Sequence, residues 1–221
     1  MQRNQSILYS QGRQYDNIIM DTVAIMISTV YGANYQVIRN HNRWQLIASE
    51  PTNDRYVQIV HIYGCHWVVI SNIMSEDRHD IELYDSMWSQ ATVTDARQML
   101  TPNNSEIVAA ILQLDPWAKS ISYIETQQQL RGGNGCGPLS LANFWCLARR
   151  WYPHWFPHLH ERIVRRQIRD IIEGGAVQPL QDERKMDRTH PKKELLLYQR
   201  TRDYNNHNFH LTRQNANFMK M

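Results

Sequence analysis

Between Asp16 and Val30 apolar residues recur at steps of three and four, namely Ile19, Met20, Val23, Met26, Ile27 and Val30. That spacing gathers them on one face of a helix, and Asp16 is placed to cap its N-terminus. From Tyr56 the texture changes. YVQIVHI, HWVVISNI after Gly64-Cys65, and DIELYDS after the polar turn SEDRH are short, β-branched and aromatic runs, which predict three neighbouring strands. Asn104-Ser105-Glu106 opens a second helical pattern, SEIVAAILQL, closed near Asp115-Pro116, and SISYIETQQ returns to strand character. The glycine-rich stretch 132–137 then leads through Pro138 into the helix LSLANFWCLARRWY. After Pro153 and Pro157 a further helix, HERIVRRQIRDIIEGG, offers Ile163, Ile168 and Ile171 or Ile172 to a core and stops at Gly174-Gly175. Strands and helices in this order predict an α+β fold, a central sheet flanked by helices.

The chain has 221 residues, enough for one large domain or one domain with an appendage. Hydrophobic residues make up 42% and charged residues 20%, with seven Trp and eleven Tyr, so a packed core is expected and global disorder is excluded. The net charge of +3 hides an asymmetry: residues 184–221 carry nine Lys/Arg against three Asp/Glu, and residues 1–183 carry fifteen against eighteen. This predicts a body over 1–183 and a basic, polar C-terminal tail over 184–221. The tail suits a solvated appendage, with nucleic acid or an acidic partner as its next reading. Its one apolar run, Leu195 to Tyr198, could dock on the body as a short helix or strand. No apolar run approaches membrane-spanning length, the start MQRNQSILYS lacks a signal-peptide layout, and the three cysteines cannot all pair. The expectation is an intracellular protein, in cytoplasm or nucleus, without membrane association.

Cys136 sits just ahead of a predicted helix, where the terminal N–H groups and the macrodipole favour a thiolate. Glycines on both sides clear the approach of a substrate carbonyl, and the Cys136 N–H could donate to an oxyanion. His66 begins one predicted strand and Asp85 ends the next, so neighbouring strands would bring imidazole and carboxylate together. Cys136, His66 and Asp85 then suit a nucleophile, a base and its orienting acid. His154, His158 and His160 have a spacing compatible with metal ligation, but the adjacent prolines disturb the helix that spacing needs, and no metal or organic cofactor is expected. Cys146 reads as core filling.

HWVVISN, then ELYDS, a glutamine-bearing segment and NGCG resemble the ubiquitin-like-protease family of cysteine peptidases, the Ulp/SENP type related to adenovirus protease. The resemblance covers the chain from the helix near Asp16 to about Gln181 and keeps the order His, Asp, Gln, Cys. It implies a cysteine-peptidase fold with His66 as base, Asp85 as acid, Cys136 as nucleophile and Gln129, or in reserve Gln128, as oxyanion donor. It also implies that Trp67 roofs a narrow substrate channel admitting a Gly-Gly terminus. The implied activity is thiol-dependent processing or deconjugation of ubiquitin or a ubiquitin-like modifier such as SUMO, through a thioester, with a viral or element-encoded polyprotein as the other substrate. Where the family has Asp before the nucleophile this chain has Gly135. Its glutamine stands seven residues ahead rather than six, and Pro138 replaces an aromatic or aliphatic residue. Two further readings keep the architecture: a YopJ-like acetyltransferase, and a catalytically weak modifier-binding module.

Overall fold

The computed structural model describes residues 15–35, 54–62, 66–87, 111, 114–130, 133–156, 160–178, 193–199 and 210–213. Helix α1 spans Asn17–Tyr31. Asp16 caps it by accepting from the Ile19 N–H at 3.0 Å, and Gly32 ends it at φ 67°, a left-handed conformation that suits glycine. Strands β1 (Val57–Ile62), β2 (His66–Ser71) and β3 (Asp80–Tyr84) follow, then β4 (Ser120–Ile124). Helix α2 runs Cys136–Ala148, a short 3-10 turn occupies Pro153–Trp155, and helix α3 runs Glu161–Gly174 to a left-handed Gly175. Strands β5 (Lys193–Gln199) and β6 (His210–Arg213) come last.

The described strands form one six-stranded sheet in sequence order. All neighbours are antiparallel except β3 and β4, which are parallel. Of the helix expected between Ser105 and Leu114, Ile111 and Leu114 are described, both helical and buried. The rest of that expected helix lies outside the described residues.

Strand periodicity explains the two cores. Val57, Ile59, Trp67, Val69, Tyr84 and Ile124 face a layer built from α1, α2 and α3, where Met20, Val23, Ile27, Phe144, Trp145 and Ile168 meet them. Val60, Ile62, Val68, Ile70, Ile81, Leu83, Ile121 and Tyr123 face the opposite side and pack with Ile111 and Leu114. Because β2 is covered on both faces, every residue of HWVVIS is buried, which is why that strand reads as a continuous rather than an alternating run. The result is a mixed α+β fold, a central sheet flanked by helices.

Two details depart from the sequence pattern. Helix α3 buries Val164, Arg165, Gln167, Ile168 and Ile171, whereas Ile163 is only partly covered, so its inward face is rotated and includes an arginine. Residues 193–199 fall in the segment read as a tail, yet they pair with β4, Ile121 opposite Leu196 and Ile124 opposite Lys193. The last two strands therefore extend the same sheet.

Candidate active site

β2 opens on His66, β3 ends immediately before Asp85, and the two strands are paired, with Val69 opposite Tyr84. Their splayed ends bring His66 Nε2 within 2.7 Å of Asp85 Oδ1, with both side chains about nine-tenths buried. Asp85 is itself held. Its Oδ1 also accepts from the Met87 N–H at 2.8 Å, and its carbonyl accepts from the Tyr123 hydroxyl at 3.1 Å and from the Gln128 amide at 3.3 Å. The carboxylate thus has little freedom to leave the ring.

With Nε2 committed to Asp85, Nδ1 is the second face of His66. It is buried without a partner at full hydrogen-bond geometry. Cys136, the first residue of α2, is the other side chain acting on the ring. Burial alone would push the imidazole down. The hydrogen bond that the ring donates to Asp85, the hydrogen bond with Cys136 and the Coulombic pull of both neighbours outweigh it and hold the ring up at about 9. The ring thus stands between a carboxylate and a sulfur, both of which favour its protonated form. Cys146, deep in α2, provides the contrast: burial pushes its thiol well up, and it serves as packing.

The start of α2 is fixed by its neighbours. The Ser140 hydroxyl, one turn in, donates to the Trp67 carbonyl at 2.9 Å, tying the helix to the residue after His66. A Cβ on Gly137 would stand 3.1 Å from Tyr15 Cβ and 3.5 Å from Trp67 Cδ1, so a larger residue there would have to displace Tyr15 by a few tenths of an ångström. Trp67 itself is buried, its Nε1–H donating to the Tyr15 carbonyl at 3.3 Å and its ring stacked on His61 at 4.2 Å. From β2 it lies against the first turn of α2.

The two glutamines separate by what they hold. The Gln128 amide is turned to the acid side, donating to the Thr126 carbonyl at 3.0 Å as well as to Asp85. Gln129 is on the cysteine side: its N–H donates to the Ser86 carbonyl at 2.8 Å, its side-chain amide donates to the Gly133 carbonyl at 3.2 Å, and its Cβ lies against Gly135. His154 lies in the 3-10 turn and His160 precedes α3, while His158 lies outside the described residues, as does Cys65. Sequence patterning passed over Tyr123, Ser140, Glu161 and Arg165. Their hydroxyls and charges look like ordinary polar punctuation until the fold brings them to the site.

No protein-family model matches the chain, and no curated protein is significantly similar to it in sequence. In three dimensions it is similar to solved structures of the SUMO protease Ulp1, two of which follow. One has its catalytic cysteine oxidized to a sulfenic acid, with TM-score 0.52 and 15% identity over 80% of this chain and 84% of that one. The other has that cysteine oxidized to a sulfinic acid, with TM-score 0.51 and 15% identity over the same shares. The chain thus has the fold of that cysteine protease. Among the described residues no helix is long and apolar enough to cross a membrane.

Proposed function

We propose that this chain is a cysteine peptidase or isopeptidase that cleaves after the Gly-Gly terminus of ubiquitin or a ubiquitin-like modifier. The observation that carries the reading is the convergence on His66, from separate elements, of Asp85 at 2.7 Å and of Cys136 at the start of α2. The fold shared with a SUMO protease supports it.

In this mechanism the Cys136 thiolate attacks the carbonyl carbon of the terminal glycine. Oxyanion charge develops ahead of the α2 N-terminus, where the first N–H groups of any helix lack an intrahelical acceptor. The Gly135 carbonyl accepts from the Leu139 N–H at 3.0 Å and so points down the helix, which turns the Cys136 N–H across that peptide outward. Gln129 supplies a second donor from the neighbouring segment. His66, protonated and oriented by Asp85, gives its Nδ1 proton to the leaving amine, and the C–N bond breaks to leave a thioester. The ring, now neutral, takes a proton from water, hydroxide attacks the thioester carbon, and the thiolate departs. Trp67 and the crowded Gly137 leave little width beside the nucleophile, which favours substrate residues without side chains. The basic segment after residue 183 offers a surface for an acidic partner or a nucleic acid.

The test is cleavage of ubiquitin-like modifiers extended at their C-terminal Gly-Gly. The parent is expected to release the extension from at least one of them and Cys136→Ala from none. Cleavage by Cys136→Ala at the parent rate contradicts the assignment.

A further inference from the structure

Three consecutive residues ahead of Cys136 are each met by a different side chain. Gln129 donates to the Gly133 carbonyl at 3.2 Å. Arg165, from α3, donates through Nη2 to the Asn134 carbonyl at 3.0 Å. The Glu161 carboxylate, also from α3, fills the space beside Gly135: a Cβ there would stand 2.8 Å from its Oε2. Glu161 and Arg165 are themselves joined, Nε to Oε1 at 2.8 Å, one helical turn apart. The Arg165 side chain is only 7% exposed, and its guanidinium lies 4.8 Å from the centre of the Tyr15 ring, whose residue accepts the indole N–H of Trp67.

A buried arginine on a helix with solvent-facing arginines at 162 and 166 is costly unless its charge is paired and its donors used. Here the charge is paired with Glu161 and one donor is spent on a loop carbonyl rather than on another surface acid. The bond to the Asn134 carbonyl fixes the peptide plane that precedes Gly135, and Gly135 is the residue whose ψ aims the Cys136 N–H. We infer that Glu161 and Arg165 form a brace that positions the oxyanion-binding backbone at Cys136, with the Glu161 carboxylate occupying the place a side chain at position 135 would take. The inference rests on the peptidase reading for its kinetic consequence, though not for the brace itself. Both are positioning residues acting through the loop. The His66–Asp85 contact is made by other elements, the ends of β2 and β3.

The experiment compares the parent with Arg165→Gln, Arg165→Lys, Glu161→Gln, Gly135→Asp and the double variant Gly135→Asp/Glu161→Ala. It reads turnover of a modifier amide substrate, alkylation of Cys136 by iodoacetamide, and amide hydrogen exchange over 133–137. Alkylation needs the thiolate but no oxyanion donor. Arg165→Gln is expected to lower kcat about 30-fold, with KM and the alkylation rate within about two-fold, because the loss is confined to the charge that develops in the intermediate. Arg165→Lys, which keeps a donor and a charge without the fork, should recover part of the loss. Gly135→Asp alone should be impaired by crowding against Glu161, and adding Glu161→Ala should restore at least about ten-fold of its activity, a coupling that independent sites do not show. Where Arg165→Gln does not fold, Glu161→Gln, which keeps the side-chain shape, carries the same comparison.

Equal turnover in the parent and the Arg165 and Glu161 variants would overturn the brace. So would parallel losses of kcat and alkylation, or a double variant no better than Gly135→Asp. A parent that turns over no modifier substrate sinks the peptidase reading alone. In that event exchange over 133–137 decides the brace: acceleration of about ten-fold in Arg165→Gln or Glu161→Gln supports it, and unchanged exchange overturns it.

Discussion

Strand β3 carries a histidine–aspartate pair at each end. At its start, His79 places Nδ1 3.0 Å and 3.1 Å from the two Asp115 oxygens, while its Nε2 accepts from Arg78 Nε at 3.1 Å. At its finish, Asp85 holds His66 Nε2, and Nδ1 is left facing Cys136. A well-placed carboxylate is common to both, so it is not what distinguishes them. The difference is the second ring nitrogen. In His79 it is taken by an arginine, and the Asp115 carboxylate also accepts from the Trp117 N–H, so the pair joins the start of β3 to the chain entering β4. In His66 it is directed at a sulfur on a helix terminus. An orienting acid makes a histidine rigid; the group on its other side decides whether rigidity serves structure or proton transfer.

The largest effect expected from this contrast is on turnover. His66→Ala should reduce cleavage by on the order of 1,000-fold or more, because it removes both the base and the proton donor. His79→Ala should leave turnover within about two-fold and lower stability by roughly 1–2 kcal/mol, the cost of leaving the buried Asp115 carboxylate without its partner. Steady-state kinetics and thermal melts on the two variants separate the roles, and equal kinetic losses would erase the distinction.

Next in size is Gln129→Ala, expected to lower kcat about 100-fold with little change in KM, whereas Gln128→Ala, whose amide serves the Asp85 side, should cost less. The reverse order would move the oxyanion donor to Gln128.

The pH profile sharpens the contrast further. If, as proposed, His66 protonates the leaving amine, cleavage of amide substrates should fall as pH rises through about 9, where the ring loses its proton. Alkylation of Cys136 should not fall there. Asp85→Asn removes one of the groups holding the ring up, so its upper limb should move toward lower pH, while Asp115→Asn leaves the profile in place. The same raised value sets a stability trend. The contribution of the His66 ion pair is complete below the ordinary histidine value of 6.5 and is lost as pH rises through about 9, which denaturant titrations across that interval would follow.

The smallest predicted effect on chemistry comes from the far edge of the sheet. Truncation after Glu183 removes β5 and β6 and uncovers β4, whose first residues follow the His79–Asp115 anchor. Melting should fall by about 5 °C or more, on the scale of roughly 2–4 °C per kcal/mol for a domain this size, with alkylation of Cys136 retained at low temperature. An unchanged melting temperature would mean that the β4–β5 ladder adds nothing.

How much of this was legible in the sequence follows from which signals survive without coordinates. The helix Asn17–Tyr31, the strands β1 to β4 and the helix beginning at Cys136 follow from apolar periodicity and turn residues, because burial of one face is what the pattern encodes. Strand β5 was veiled by its surroundings: Leu195 to Leu197 is a plausible strand, but the basic, asparagine-rich residues around it read as solvated chain. The inward turn of α3 was not legible, since an arginine at position 165 among 162, 166 and 169 looks like one more solvent-facing charge. Its burial depends on Asn134 and Tyr15, which are remote in sequence. The same remoteness hid Glu161, whose link to Gly135 exists only once α3 lies against the loop.

The measurement that bears most directly on the central claim is covalent capture with a panel of ubiquitin-like modifiers carrying electrophiles in place of the C-terminal carboxylate, followed by mapping of the modified residue. The account predicts a single adduct at Cys136 with at least one modifier, lost in Cys136→Ala, strongly slowed in His66→Ala and unaffected in His79→Ala. Labelling at Cys65 or Cys146, or labelling at Cys136 that is indifferent to His66, would contradict it.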